Sequence, residues 1–207
     1  MSFPGLPSLS EQLRRRAATL RHYHEIAEVG EIARRYFAMN AFDGVLTALG
    51  VLAGGYIGGV HEARAIITVM LTTAVGMGVS GFYGSYLVEK AERERAMREL
   101  EASTLSSLHD TTIAAASRYA TIVIAIVDGG SPFAAALVVM IPFFFTAIIP
   151  ISVAYYLAVA VGMLELFFLG VFLGSVSRDR LWLSGLRLAL AGVIALAISL
   201  LLGGGVA

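Results

Sequence analysis

The 207 residues contain no cysteine. That excludes disulfides, thiolate metal sites and cysteine nucleophiles, and leaves the redox compartment open. Charge is scarce too: Asp, Glu, Lys and Arg make up 14% of the chain, against about a quarter in an ordinary soluble domain. The charges cancel, fifteen basic against fifteen acidic, so the sum argues for no partner and nucleic acid is not expected. No H-E-x-x-H, G-x-S-x-G or Walker-type loop is present, and the chain is not expected to be an enzyme. The N-terminus is polar and Arg-rich, with no early apolar core and no small-residue cleavage site. A secretory signal peptide is therefore not expected.

What is abundant is apolar length. Hydrophobic residues are 57% of the chain and mean hydropathy is +0.79, which makes lipid the main solvent. A membrane helix needs about 20 mostly apolar residues. Five stretches qualify: 36–59, 63–88, 132–151, 153–176 and 181–202. The third and fourth are almost continuous, broken only at Pro150 and Ser152, which suits a tight helical hairpin. A sixth stretch, 113–127, is short and contains Arg118, and is expected to be a buried or interfacial helix.

Basic residues decide the topology. They cluster before the first span (Arg14, Arg15, Arg16, Arg21, Arg34, Arg35), between the second and third (Lys90, Arg93, Arg95, Arg98, Arg118) and between the fourth and fifth (Arg178, Arg180). The intervening turns carry only Arg64. Five spans put nearly all of these on one face, as the positive-inside bias requires, with the N-terminus cytoplasmic. The expected fold class is an all-α integral membrane protein with a small helical cytoplasmic insert between helices two and three. The segments are 1–35, a cytoplasmic amphipathic stretch opening on a Ser-x-Ser-Glu cap from Ser8; 36–88, helices one and two; 89–128, the insert; and 129–207, helices three to five. The string "DGGSP" (128–132) reads as a turn that separates the insert from helix three, with Pro132 at the helix start. Without a targeting signal, the plasma membrane of a prokaryote is the expected location.

Asp43 stands out, in "NAFDGVLTALGVLAGG". A carboxylate inside a membrane helix costs roughly 2.5–3.5 kcal/mol at mid-depth, and such residues mark ion or proton pathways or pair with a neighbour. Pairing with Asn40 or Arg35 to orient the helix is the alternative. Glycines four apart follow it (Gly50, Gly54, Gly58), and helix two repeats the theme with Gly76, Gly78, Gly81 and Gly84 around Met77 and Ser80. Such faces let backbones approach closely, across a symmetric dimer for instance. Met77 is either gap-filler or a soft thioether ligand that complements the carboxylate. Asn40 and Ser80 stand beside the two as further lining residues of a transport pathway.

Elsewhere, Glu89, Glu92 and Glu99 share one helical stripe, and Glu94–Arg98 is a favourable i,i+4 pair, so a solvated, salt-bridged helix explains this segment. His24 and Glu28 are four apart, a spacing able to chelate a metal, though a juxtamembrane amphipathic helix accounts for them equally well. Membrane lipid is the expected partner of the nearby arginines. Glu165, deep in the fourth span, is a candidate proton carrier, a partner for Arg187, or a hydrogen-bonding group at a dimer interface.

These residues resemble the vacuolar iron transporter family. "FDGVLTALGVLAGG" (42–55) is similar to the first-helix Asp-Gly-Leu/Val pattern of that family, and "AVGMGVSGFYGSYLVEKAERE" (74–94) to its second helix. "SPFAAALVVMIPFFFTAIIP" (131–150) and "RLWLSGLRLALAGVIA" (180–195) are similar to its third and fifth. The resemblance implies a homodimer that exports cytosolic Fe²⁺ or Mn²⁺ in exchange for protons, with no permanently bound cofactor. Asp43 and Met77 would be pathway ligands. Glu89, Glu92 and Glu99, completed by His109 and Asp110, would form a metal-collecting surface. The chain departs from the pattern at Gly81, where the family often has glutamate, and its insert is short. The expected function is divalent-metal export; the alternative is a non-transporting metal sensor or assembly scaffold.

Overall fold

The computed structural model describes residues 18–24 and 27–204. Regular structure among them is helical throughout. After a short helical stretch at 18–24, five long helices follow: α1 (Val29–Ile57), α2 (Ala63–Thr104), α3 (Thr112–Met140), α4 (Ile151–Ser177) and α5 (Leu181–Gly204), with a 3₁₀ turn (Ile141–Phe145) after α3. Each of the five is long and apolar enough to cross a membrane, and the chain is a multi-pass, all-helical membrane protein. The expected cap at Ser8 and the arginines at 14–16 lie outside the described residues.

The helices run alternately up and down. Phe37 near the start of α1 meets Phe172 near the end of α4, edge to face at 5.8 Å. At the opposite end the Tyr155 hydroxyl donates to the Val60 carbonyl, 3.0 Å away, between α1 and α2. Gly59 closes that α1–α2 turn with φ +65°, a backbone state in which a side chain is strained. The α3–α4 break falls at the 3₁₀ turn and Pro150, where the hairpin was expected.

Two expectations about the insert are corrected. The stretch 113–127 is not a separate helix, and "DGGSP" is not a turn. Both belong to α3, which passes through Asp128, Gly129, Gly130, Ser131 and Pro132 without interruption. The segment boundary at 128/129 therefore falls inside a helix. Within lipid an unwound turn would strand backbone N–H and C=O groups, each costing several kcal/mol on the order of a lost hydrogen bond. Helix is retained, and the anomalies are absorbed locally. Ser131 donates its hydroxyl back to the Val127 carbonyl, and Gly129 lets α2 come close at Gly78 and Phe82. Pro132, having no N–H, leaves the Asp128 carbonyl without its helical donor.

α2 has 42 residues, or about 63 Å at 1.5 Å per residue, roughly twice the hydrocarbon thickness. Its charged second part, 89–104, is a stalk along which the start of α3 returns. The insert is thus two membrane helices extended, not an independent domain. A small apolar cluster of Val29, Ala120 and Ile124 ties the first part of α3 to α1.

The main core runs from Ala41 to Leu52 of α1 against Ala135–Met140 of α3 and Ala154–Leu169 of α4, with Met70 and Ala74 of α2 at its edge. α3 lies between α1 and α2, which scarcely touch each other. Glycines permit that arrangement. A Cβ on Gly44 would stand 2.6 Å from the Pro132 backbone, and one on Gly81 3.1 Å from the Cα of Gly129.

Candidate functional site

Because α3 holds α1 and α2 apart, a crevice is left between them with Pro132 as its floor. It forms an open groove of about 570 Å³ lined by Asn40, Asp43, Leu46 and Thr47 of α1 and Gly76, Met77, Ser80 and Gly81 of α2. All four residues named from sequence as pathway candidates, Asn40, Asp43, Met77 and Ser80, meet there. A small void of about 10 Å³ continues the crevice past Met77 toward Thr73 and Met70.

Asp43 is exposed to the groove. Among the described residues its carboxylate has no hydrogen bond and no ion pair. The two partners considered for it are committed elsewhere: Arg35 stacks over the Tyr36 ring, 5.7 Å from the centroid, and Asn40 donates its amide hydrogens to the Tyr36 carbonyl at 2.9 Å and to Oδ1 of Asp128. Among the described residues neither of them pairs with Asp43. An ionisable oxygen, a polarisable thioether, a hydroxyl and an amide lining one groove are donor types suited to a late divalent cation.

Asp128 was missed. It is 7% exposed, and its polar neighbours are Asn40 and Ser85, the latter turning its hydroxyl to the Gly81 carbonyl at 2.8 Å. Reading "DGGSP" as a turn placed this acid in a loop. The available signal was the apolar run itself, which extends from 113 to 145 with only Arg118 and Asp128 charged. The glycine at position 81 is also explained, since it packs against Asp128 and Gly129. Where the resemblance leads one to expect an acid on α2, an acid of α3 lies opposite.

The remaining candidates are not brought together. Glu89 is held by Arg93 at 3.1 Å and takes a long contact of 3.5 Å from the Tyr36 hydroxyl. Glu99 pairs with Arg95 at 2.9 Å, and Glu94 with Lys90 at 3.8 Å, not with Arg98. Glu92, His109 and Asp110 are exposed. Among the described residues no three His, Asp or Glu side chains lie close enough to share a metal ion. The metal-collecting surface is therefore not assembled in one chain, because a spacing of seven puts two turns, about 10.5 Å, between Glu92 and Glu99, and neighbouring arginines take up Glu89 and Glu99.

His24 and Glu28 do not share a helical face: Glu28 is left-handed, at φ 48°, which breaks the helix between them. His24 instead approaches Gly30. Arg187 binds Asp179 at 3.1 Å and so is not the partner of Glu165. Glu165 Oε2 is buried with no hydrogen-bond partner among the described residues, and it sits on α4, away from the walls of the groove.

No family model matches the sequence. The chain is 33% identical over 172 residues, 82% of its own length and 87% of the other's, to the uncharacterized protein MJ0645 of Methanocaldococcus jannaschii. At that identity and coverage, the chain belongs to the same family as this archaeal protein.

Proposed function

We propose that the protein is a divalent transition-metal transporter, a divergent member of the vacuolar iron transporter family that exports Fe²⁺ or Mn²⁺ from the cytosol in exchange for protons. One observation carries this reading: an unpaired Asp43 carboxylate, the Met77 thioether, Ser80 and Asn40 line a single groove in the apolar part of the bundle. A carboxylate exposed on a membrane helix is costly unless water or a partner covers it, so the groove is wet or is closed by a second copy.

The chemistry follows from competition. A cation needs Asp43 ionised, whereas a proton arriving from the far side neutralises it and releases the ion. Exchange requires only that the two occupants take turns. Nothing in this scheme needs a cofactor or a covalent step, and the protein is read as a transporter, not an enzyme. The basic ends of α1, α2 and α4 set the N-terminus in the cytoplasm by the positive-inside bias. The outward direction assigned to the metal rests on the resemblance.

The test is Mn²⁺ or Fe²⁺ flux in proteoliposomes under an imposed pH gradient. Wild type is expected to move metal with counterflow of protons and Asp43→Ala to abolish it; unchanged flux in that variant removes Asp43 from the pathway. The second reading is a non-transporting metal sensor or scaffold, favoured by the absence of a three-ligand cluster among the described residues. It predicts Asp43-dependent metal binding without flux, or no binding at all.

A further inference from the structure

Asn40 is the one groove residue whose chemistry depends on which way it is turned. Its side chain ends in an acceptor oxygen and a donor NH₂ of nearly equal size. With the NH₂ toward the groove it would repel a cation; with the oxygen there it would help hold one. Two acceptors settle the choice. The Tyr36 carbonyl lies 2.9 Å from Nδ2, and Oδ1 of Asp128 takes the other hydrogen. Both donors are spent on the protein side, and among the described residues the amide oxygen accepts nothing. A backbone carbonyl can only accept, so the Tyr36 carbonyl does not tolerate the flipped amide.

We infer that Asp128 is a positioning residue: through its hydrogen bond to Asn40 it fixes the amide oxygen toward the groove, making Asn40 a neutral oxygen ligand beside Asp43 and Met77. Asp128 itself reaches the site only through Asn40. It comes from a different helix, and Pro132, four residues on, forms the floor of the same groove. The α3 segment that shapes the groove thus also orients one of its ligands. This inference rests on the cation reading given above.

The probe is Mn²⁺ binding to the purified full chain, followed by electron paramagnetic resonance. Wild type is expected to bind Mn²⁺ and Asp43→Ala to lose it. Asp128→Asn, whose amide can offer Asn40 either its oxygen or its NH₂ and so leaves the Tyr36 carbonyl alone to set the orientation, is expected to bind about tenfold more weakly, the usual scale for removing a group that orients a metal ligand. Asn40→Ala should lose a similar factor. The diagnostic arm combines the two. If Asp128 works through Asn40, adding Asp128→Asn to Asn40→Ala costs nothing further. If Asp128 merely attracts the cation by its charge or props up the fold, the loss persists in that background and the inference is overturned.

Asp128→Ala is the second orienting variant: it removes the acceptor altogether, should weaken binding as Asp128→Asn does, and should likewise cost nothing further in the Asn40→Ala background. If Asp128→Asn does not fold, Asp128→Ala decides the matter in the same two backgrounds, and a loss of binding that persists with Asn40→Ala overturns the inference. Equal affinity in wild type and Asp128→Asn overturns the positioning role while leaving the cation reading intact. Wild-type binding that is absent or indifferent to Asp43→Ala overturns that reading, and the inference with it.

Discussion

Gly44 has no room for a methyl group, because a Cβ there would stand 2.6 Å from Cα and O of Pro132. Neither atom belongs to a flexible side chain, so the whole helix must move. Gly44→Ala is expected to destabilise the protein by roughly 1–3 kcal/mol, the range for overpacking, read as a lower melting temperature in detergent, and to reduce metal flux by shifting α1 away from the floor of the groove. Gly81 carries the same logic to the residue at which the chain departs from the family pattern. Restoring the acid as Gly81→Glu would press its Cβ to 3.1 Å from Gly129 Cα and 3.2 Å from the Asp128 carbonyl. The expected outcome is a lower melting temperature and weaker Mn²⁺ binding; tighter binding would mean that α2 and α3 can part without cost. These residues also mark what was readable in advance. Asp43 and Met77 were legible because a carboxylate and a thioether are conspicuous against apolar, glycine-rich surroundings. Asp128 was hidden by its neighbours, since Gly-Gly-Ser-Pro signals a turn in water and is overruled when a helix has lipid and two other helices around it.

At the scale of the element, α2 combines a membrane segment with a stalk whose charges are mostly spent on one another. Exposed i,i+4 pairs such as Arg95–Glu99 contribute about 0.2–1 kcal/mol each, and they leave little free carboxylate for a metal. Glu92→Ala and Glu99→Ala are therefore expected to leave flux and melting temperature nearly unchanged; a large loss of flux with normal stability would return the stalk to the metal path. The stalk ends at Leu105, which is left-handed at φ 51° and 93% exposed. A side chain in that conformation costs roughly 1–2 kcal/mol, and Leu105→Gly should recover part of this as a higher melting temperature. The five long helices and the break at Pro150 could be read from hydropathy alone, since lipid admits few other solutions. The lengths of α2 and α3 could not. Charged residues mark where a helix leaves the membrane, and they carry no instruction for it to stop.

Taken whole, the bundle has two kinds of exposed face. α5 presents Leu186, Leu190, Val193, Ile194 and Leu200 outward, a surface that suits lipid tails. The face formed by α1 and α2 is different: it carries Asp43, Thr47 and Gly50 on one helix and Thr72, Gly76 and Ser80 on the other, and a Cβ on Gly50, Gly54 or Gly76 would meet nothing within 4 Å. Small and polar groups gain nothing from hydrocarbon. They do allow close approach of another backbone, and a second copy seated there would cover the exposed carboxylate. The lack of native cysteine makes this directly testable, because any disulfide must come from an introduced residue. Gly50→Cys in native membranes is expected to give an oxidant-induced, disulfide-linked dimer, since Cα atoms of facing α1 helices would come within the roughly 4.4–6.8 Å that such a bond spans. Leu190→Cys on α5 should stay monomeric under the same conditions. The reverse pattern would place the contact on α5 and leave the Asp43 groove open to lipid, and with that the site would lose its cover and its route for an ion.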